Sequence, residues 1–531
     1  MTLAARHPCD DAPLHAAIPQ APCGAAQQRW VLAAAVLGSS LAFVDGTIVN
    51  VALPAIQRDL GASVAQAQWV VEAYALLLAA LLLPGGALGD RLGRRRVFLV
   101  GVLVFAAASV ACMFSRTVHQ LIAARAVQGL GGALLVPGSL ALISLAFPEQ
   151  ERGKAFGTWA AFSGITSAVG PLLGGYLVDR FSWHWAFAMN LPLALLVLAI
   201  AWARVPESAR GGTKERMDWP GALLATLGLG GIVFAFIEAP ARQWRSPAVL
   251  GALAVGIVAL AAFVMVERSA RAPMLPLHLL RKRNFAGANL LTLLLYAALG
   301  GGLFFLPLNL IQVQGLSATA AGAALLPFIL VMFLLSRWAG GLVDRHGARL
   351  PLVVGPLIAA AGFALLVLPG TNAGYFHFLP GIVVLGLGMT VAVAPLTTTV
   401  MNAVEPASAG VASGINNAVS RVAGLLAIAV FGWLMASVFE PRLQQALAGS
   451  GLSREAMDAV WAQRDKLAAI PAPAGVASDA VKAAFVAGYR WIMAVSAALA
   501  LASALAAAVL LDRAQAGTTS SRGNSNKRNG G

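Results

Sequence analysis

Asp45 and Arg125 carry the most chemistry in this chain, because each is an ionisable side chain inside a long apolar run. Asp45 falls in FVDGTIVNVALP and Arg125 in LIAARAVQGLGGALLVP. A charge at membrane depth is costly, and one retained there is a candidate for handling protons or ligand. Asp45 has two readings: a carboxylate that takes up and releases a proton in a central cavity, or a packing residue hydrogen-bonded to Thr47 or Asn50. Arg125 either acts on the proton exchange of such a carboxylate or caps backbone carbonyls near Gln128. Glu72, Tyr74, Asn50 and Arg421 are candidates for lining the cavity. Glu72 reads equally as a boundary residue in water, Glu238 as interfacial, and Arg337 as snorkelling to the surface. Trp69, Tyr74, Trp159, Trp338 and Trp433 suit either an aromatic cation or anchoring at the interface. No GxxxxGK[ST] phosphate loop, catalytic triad or metal cluster stands out. That argues against an ATP-driven pump or an enzyme, and no cofactor or metal is expected.

These residues need a membrane scaffold to hold them. The chain has 531 residues, 59% hydrophobic and 11% charged, where a soluble domain is nearer half apolar and a quarter charged. One span takes about 20 apolar residues, which gives about fourteen spans here. They fall at 31–53, 68–88, 97–115, 118–141, 156–178, 184–203, 219–238, 247–266, 286–309, 319–341, 350–369, 376–398, 410–435 and 485–511. The run after Arg29 lacks a cleavage context and reads as the first span, not a leader. Cys9, Cys23 and Cys112 form no disulfide framework.

The net charge of +15 reads as topology and not as nucleic-acid binding. Basic residues collect at alternate loops: Arg91, Arg94, Arg95 and Arg96; Arg152 and Lys154; Arg204 to Arg216; Arg268 to Arg283; Arg345 and Arg349. That bias places both termini in the cytoplasm. The segment 437–484, expected as a long outer loop, runs against it with Arg442, Arg454, Arg464, Lys466, Lys482 and Arg490.

The chain is also duplicated. GALGDRLGRR (Gly86–Arg95) pairs with GGLVDRHGAR (Gly340–Arg349), SGITSAVGPLLG from Ser163 with SGINNAVSRVAG from Ser413, and GLGGALLVP from Gly129 with GLGMTVAVAP from Gly386. The common offset implies two six-helix halves, 30–204 and 285–511, with two spans inserted at 205–284. Flanking them are a tail at 1–29 and a polar tail at 512–531 that reads as disordered. Loop residues Gly86, Asp90, Arg91, Gly93 and Arg94, with Asp344 and Arg345 in the second copy, are candidates for a conformational switch. Gly164, Gly170, Pro171, Gly174 and Gly175 form either a tight, bendable seam between the halves or ordinary small-residue packing. Arg125 has Ile382 at the duplicated position, and this asymmetry favours function. Arg421 replaces Pro171 in the second copy, as a second cavity cation or a structural tie.

With these motifs in hand, the chain resembles the major facilitator superfamily, and within it the fourteen-spanner drug:proton antiporters of EmrB/QacA type, over about 30–511. GALGDRLGRR is similar to the superfamily loop motif, LIAARAVQGLGGA to the span-four motif, and GITSAVGPLLGG to the span-five antiporter motif. FVDGTIVNVALP looks like the span-one motif and WHWAFAMNLP like the stretch opening span six. The resemblance implies an all-α membrane fold and proton coupling through Asp45 and Arg125. It also implies export of amphipathic, cationic or lipophilic compounds by alternating access across a bacterial inner membrane. A dedicated exporter of one metabolite is the nearest rival, and a transport-inactive sensor or scaffold the rival of another class. Expected partners are the lipid bilayer, small-molecule substrates, and a periplasmic adaptor with an outer-membrane channel docking on 437–484. The run SREAMDAVWAQRDKLA from Ser453 looks amphipathic, although a tolerated insertion explains it as well.

Overall fold

The computed structural model describes residues 24–207, 218–270, 273–405, 409–472 and 475–512. Cys9, Cys23, Arg210, Lys214, Arg216, Arg271 and the tail from 513 lie outside these residues, as does the side chain of Asp344.

Among the described residues, fourteen helices are long and apolar enough to cross a membrane: α1 (Ala26–Leu60), α2 (Val64–Leu92), α3 (Arg94–Met113), α4 (Val118–Ala146), α5 (Glu151–Arg180), α6 (His184–Arg204), α7 (Trp219–Arg242), α8 (Pro247–Ser269), α9 (Arg283–Val313), α10 (Ala318–Gly340), α11 (Arg349–Leu366), α12 (Tyr375–Asn402), α13 (Val411–Ala448) and α14 (Val476–Leu510). No strand occurs among the described residues. The helices begin where local chemistry starts them. Ser63 and Gln66 form a reciprocal cap on α2, Thr117 caps α4, Asp218 caps α7 and Ser317 caps α10, each satisfying amide donors that a helix start leaves open. Gly61 ends α1 at φ 63°, a backbone shape that suits glycine.

Glycines then set how closely helices approach. A Cβ on Gly101 would lie 2.8 Å from the Leu135 amide, and one on Gly131 2.6 Å from the Phe105 amide, so α3 and α4 touch backbone to backbone. The second half repeats the contact: a Cβ on Gly362 would meet the Leu385 amide of α12 at 2.6 Å. Such close approach suits a bilayer, where packing rather than water exclusion holds helices together. The hairpin α7–α8 lies against the bundle through α7. Leu229, Val233 and Ile237 of α7 pack with Trp69 and Leu76 of α2 and with Leu425 and Ala429 of α13. Val255, Val258 and Met265 leave α8 largely exposed, as a lipid-facing helix requires.

The segment 437–484 is not one loop. α13 continues to Ala448 and α14 already starts at Val476, 38 and 35 residues long. At about 1.5 Å per residue both far exceed the roughly 30 Å of hydrocarbon. Hydropathy marks where a helix leaves lipid, while good helix formers beyond that point, Leu443 to Ala446 in α13 and the alanines of 476–484 in α14, let it continue. The connection holds a helix at Arg454–Trp461, capped by Ser453, and a helical turn at Arg464–Ala469. Val460, Leu467 and Ile470 are buried, so this connection is docked on the bundle.

Candidate functional site

Asp45 and Arg125 meet. The Arg125 Nη1 donates to Asp45 Oδ2 in a short ion pair, with the two side chains 1% and 0% exposed. Arg125 and Gln128 lie one turn apart on the same face of α4, so both reach α1. Gln128 Nε2 donates to Asp45 Oδ1 at 2.8 Å and to Ser109 Oγ at 2.9 Å. Asn190 Nδ2 donates to the same carboxylate oxygen at 2.9 Å. Arg125 Nη1 also donates to Gln128 Oε1 at 2.6 Å, and its Nε to the Val70 carbonyl at 3.0 Å. The guanidinium lies over the Tyr74 ring, 4.3 Å from the centroid, and the Tyr74 hydroxyl is tied to the Ala42 carbonyl at 3.1 Å. Five of the first six spans thus converge on one carboxylate. Neither Thr47 nor Asn50 is its partner: Thr47 bonds backbone carbonyls of Phe43, Val44 and Ser167, and the Asn50 Oδ1 has no hydrogen-bond partner among the described residues. Nor does Arg125 cap carbonyls near Gln128; it takes the Gln128 side chain and a carbonyl of α2.

Every hydrogen-bonding partner of Asp45 is neutral except Arg125. Protonation would remove one half of the ion pair and leave the guanidinium with only neutral partners, a costly state at 1% exposure. Among the described residues, the second half has no such pair. There Asn416 Nδ2 of α13 donates to Thr292 Oγ1 and Asn289 Oδ1 of α9, at 2.7 and 3.2 Å, and Ile382 is buried where the first half has Arg125.

The span-five glycines divide their contacts. Gly170 and Gly174 press on Thr47 and Ile48 of α1, within the first half, whereas Gly175 presses on the Ala318 carbonyl of α10, in the second. Gly322 of α10 returns the contact against the Pro171 carbonyl. Gly164 has open space at its Cβ position and closes nothing. Just beyond, Asp179 reaches across the halves: its Oδ1 accepts from the Ala318 amide at 3.1 Å, and its Oδ2 from the Thr319 amide at 2.7 Å and hydroxyl at 2.6 Å. Gln312 donates to Gln57 at 2.9 Å, and Gln68 to the Ile428 carbonyl at 2.6 Å. These cross-half bonds all lie toward the end of the bundle away from the basic loops. At the basic end, Arg94 binds Asp90 at 2.8 Å and the Ala141 carbonyl at 3.0 Å and Arg95 the Trp202 carbonyl at 2.6 Å, all within the first half, while Arg96 approaches Glu207, just beyond it, at 3.6 Å. Gly93 makes the turn between α2 and α3 at φ 104°, where a side chain would be strained. Arg345 in the second copy is exposed.

The family model of the Major Facilitator Superfamily matches residues 35–428. The chain belongs to that superfamily. This facilitator is 40% identical over 406 residues to the puromycin resistance protein pur8 of Streptomyces alboniger, covering 76% of this chain and 80% of that one. It is 36% identical over 426 residues to the multidrug resistance protein Stp of Mycobacterium tuberculosis, covering 79% of each. The tetracenomycin C resistance and export protein of Streptomyces glaucescens is 33% identical over 485 residues, 90% of each chain. Among solved structures, a bacterial homolog of the human lysosomal transporter Spinster superposes with a TM-score of 0.64 at 18% identity, covering 92% of this chain and 98% of that one; this is a likeness of fold. The chain is therefore a multi-pass membrane transporter and not an enzyme, and its fourteen spans and relatives fit the fourteen-spanner drug:proton antiporters.

The remaining candidates of this facilitator stand apart from Asp45. Glu72 is fully buried on another face of α2, and neither carboxyl oxygen has a hydrogen-bond partner among the described residues. Arg421 of α13 lies over the Phe43 ring of α1 at 6.0 Å, and Phe43 packs edge-on against Trp159 at 6.0 Å. Glu238 accepts from Trp69 Nε1 at 3.4 Å and pairs with Arg242 at 2.7 Å. Sequence reading missed Gln128, Asn190, Ser109 and Asp179. The i, i+3 spacing from Arg125 was the available signal for Gln128, and Asn190 sits in the quoted WHWAFAMNLP stretch; Ser109 offered none.

Asp179 gives a direct expectation. A carboxylate on a helix start is worth about 0.5–2 kcal/mol, so Asp179→Ala should shift the balance between closed and open far ends by roughly twofold to thirtyfold toward open. Faster labelling of a cysteine placed at Ser317 would register this. Labelling at the wild-type rate would mean that the contact holds nothing shut.

Proposed function

We propose that this transporter is a proton-driven exporter of amphipathic, cationic or lipophilic compounds, working by alternating access of its two halves. The observation that carries the reading is the buried Asp45–Arg125 pair of the first half, where the second half has Ile382 at the position matching Arg125. Proton uptake by Asp45 breaks the pair, and regaining it on release biases the bundle between two packings. The cross-half bonds at Gln57, Gln68 and Asp179 support reading this conformation as closed on the far side and open toward the basic loops. A growth-inhibition panel in a pump-deficient host tests the cargo: resistance to several chemically unrelated lipophilic cations is expected. Resistance to one compound alone would favour the second reading, a dedicated exporter, which draws on the relatives named for puromycin and for tetracenomycin C.

The loop charges support a bacterial inner-membrane location with both termini and Gly86–Arg96 in the cytoplasm. Single cysteines placed in Gly86–Arg96 should resist a membrane-impermeant maleimide on intact cells, while one at Arg454 reacts; labelling in the Gly86–Arg96 loop would reverse the topology. A periplasmic adaptor leading to an outer-membrane channel would meet the exposed face of Arg454–Trp461, at Arg454, Glu455 and Asp458. Because Val460 and Leu467 are buried, deletion of this segment would disturb the bundle. Glu455→Lys with Asp458→Lys should instead lower whole-cell resistance and leave transport in inverted vesicles intact. Unchanged resistance would remove the adaptor from the account.

A further inference from the structure

The far end of α14 supplies a depth scale. Its other end is pinned where Arg283 and Arg349 donate to the Val509 and Ala508 carbonyls. From Leu510 back to Arg490 the helix is continuous, and those 20 residues span about 30 Å, the thickness of the hydrocarbon layer. Arg490 and Trp491 therefore stand at the interface opposite the basic loops. Trp491 is 57% exposed there, at the depth where tryptophan gathers.

Beside them lies a cavity of about 690 Å³ between α13 and α14. Arg442 and Gln445 of α13 and Arg490 and Trp491 of α14 stand on its walls, and Ala487 and Ala494 contribute to an alanine-rich floor. No acidic side chain lines it. Arg490 donates one terminal nitrogen to the Leu368 and Pro369 carbonyls, at 3.2 and 3.4 Å, leaving other N–H donors of its fork available. Arg442 has no hydrogen bond or ion pair among the described residues. Below Ala494 the exposed face of α14 continues through Ala498, Leu501 and Leu505, one stripe at helical spacing. The cavity thus opens onto the lipid-facing side of the helix. Retaining two arginines on the leaflet that the inside bias depletes of them needs another reason, and guanidinium groups match phosphate oxygens in geometry as well as charge.

We propose that this cavity holds an anionic glycerophospholipid of the far leaflet, its phosphate between Arg442 and Arg490 and an acyl chain along the alanine floor. The apolar floor and its continuity with the lipid stripe commit the site to a lipid over a phosphate ion from water. The bound lipid bridges α13 and α14 where both emerge from the bilayer. This reading is independent of proton coupling.

The full-length protein, reconstituted in nanodiscs of equal phosphatidylglycerol and phosphatidylcholine and re-extracted in mild detergent, provides the test through its co-purifying lipid. Mass spectrometry should find phosphatidylglycerol enriched several-fold over phosphatidylcholine in the wild type and in Asp45→Asn. The enrichment should fall in Arg442→Gln, which has no protein partner to lose, and further in Arg442→Gln with Arg490→Gln. Equal enrichment in wild type and Arg442→Gln would overturn the proposal. So would displacement of phosphatidylglycerol by excess inorganic phosphate, which would mark an aqueous anion site.

Discussion

Asp45→Asn should abolish proton-driven efflux while the protein still reaches the membrane folded. Asn keeps the size and one acceptor oxygen but has no proton to give up. Its amide would face donors, because Asp45 accepts from Arg125 through one oxygen and from Gln128 and Asn190 through the other. The variant therefore leaves the guanidinium short of a counter-charge, and removing one partner of a buried pair costs about 3–5 kcal/mol. A lower thermal midpoint in detergent should accompany the lost transport. Efflux at the wild-type rate under an imposed pH gradient would dismiss Asp45 as the proton carrier.

Arg125→Ala should be the most damaging single change, because it strands a carboxylate at 0% exposure and also frees the Val70 carbonyl and Gln128. Little folded protein and no transport are expected, again at a cost of about 3–5 kcal/mol. Arg125→Lys keeps the charge but not the planar fork that serves Asp45, Gln128 and Val70 together, so it should fold and transport poorly. Combining Asp45→Asn with Arg125→Gln removes both charges. The double variant should be more stable than the two single losses would sum to, a coupling read directly by a double-mutant cycle, yet remain inactive. Recovery of transport along with stability would reduce the pair to a structural tie.

Span count, span order and the pairing of motifs between halves were legible in the sequence because hydropathy and repetition are properties of a single chain read in line. Asp45 and Arg125 stood out for the same reason, as lone charges in apolar runs. What the line of residues does not carry is who meets whom across 80 positions. Thr47 and Asn50 are near Asp45 in sequence, but a helix turns them to other faces, and the carboxylate finds Gln128 and Asn190 instead. Those are neutral side chains of common type whose role exists only once α1, α3, α4 and α6 are packed. Asp179 is similarly ordinary as a helix-end acid until α10 brings its own start alongside. The ends of α13 and α14 were misread because composition reports the lipid boundary, while a helix ends where tertiary contacts stop it.

The most direct test of proton-coupled export uses purified protein in liposomes containing a pH-sensitive dye, with no starting gradient. A lipophilic cation from the resistance panel is added outside. If uptake of the compound is exchanged for protons, the wild-type lumen becomes alkaline as the compound enters, and Asp45→Asn liposomes show no change. Entry of the compound through wild-type protein with a steady lumenal pH, or alkalinisation at the wild-type rate in Asp45→Asn, would contradict the account.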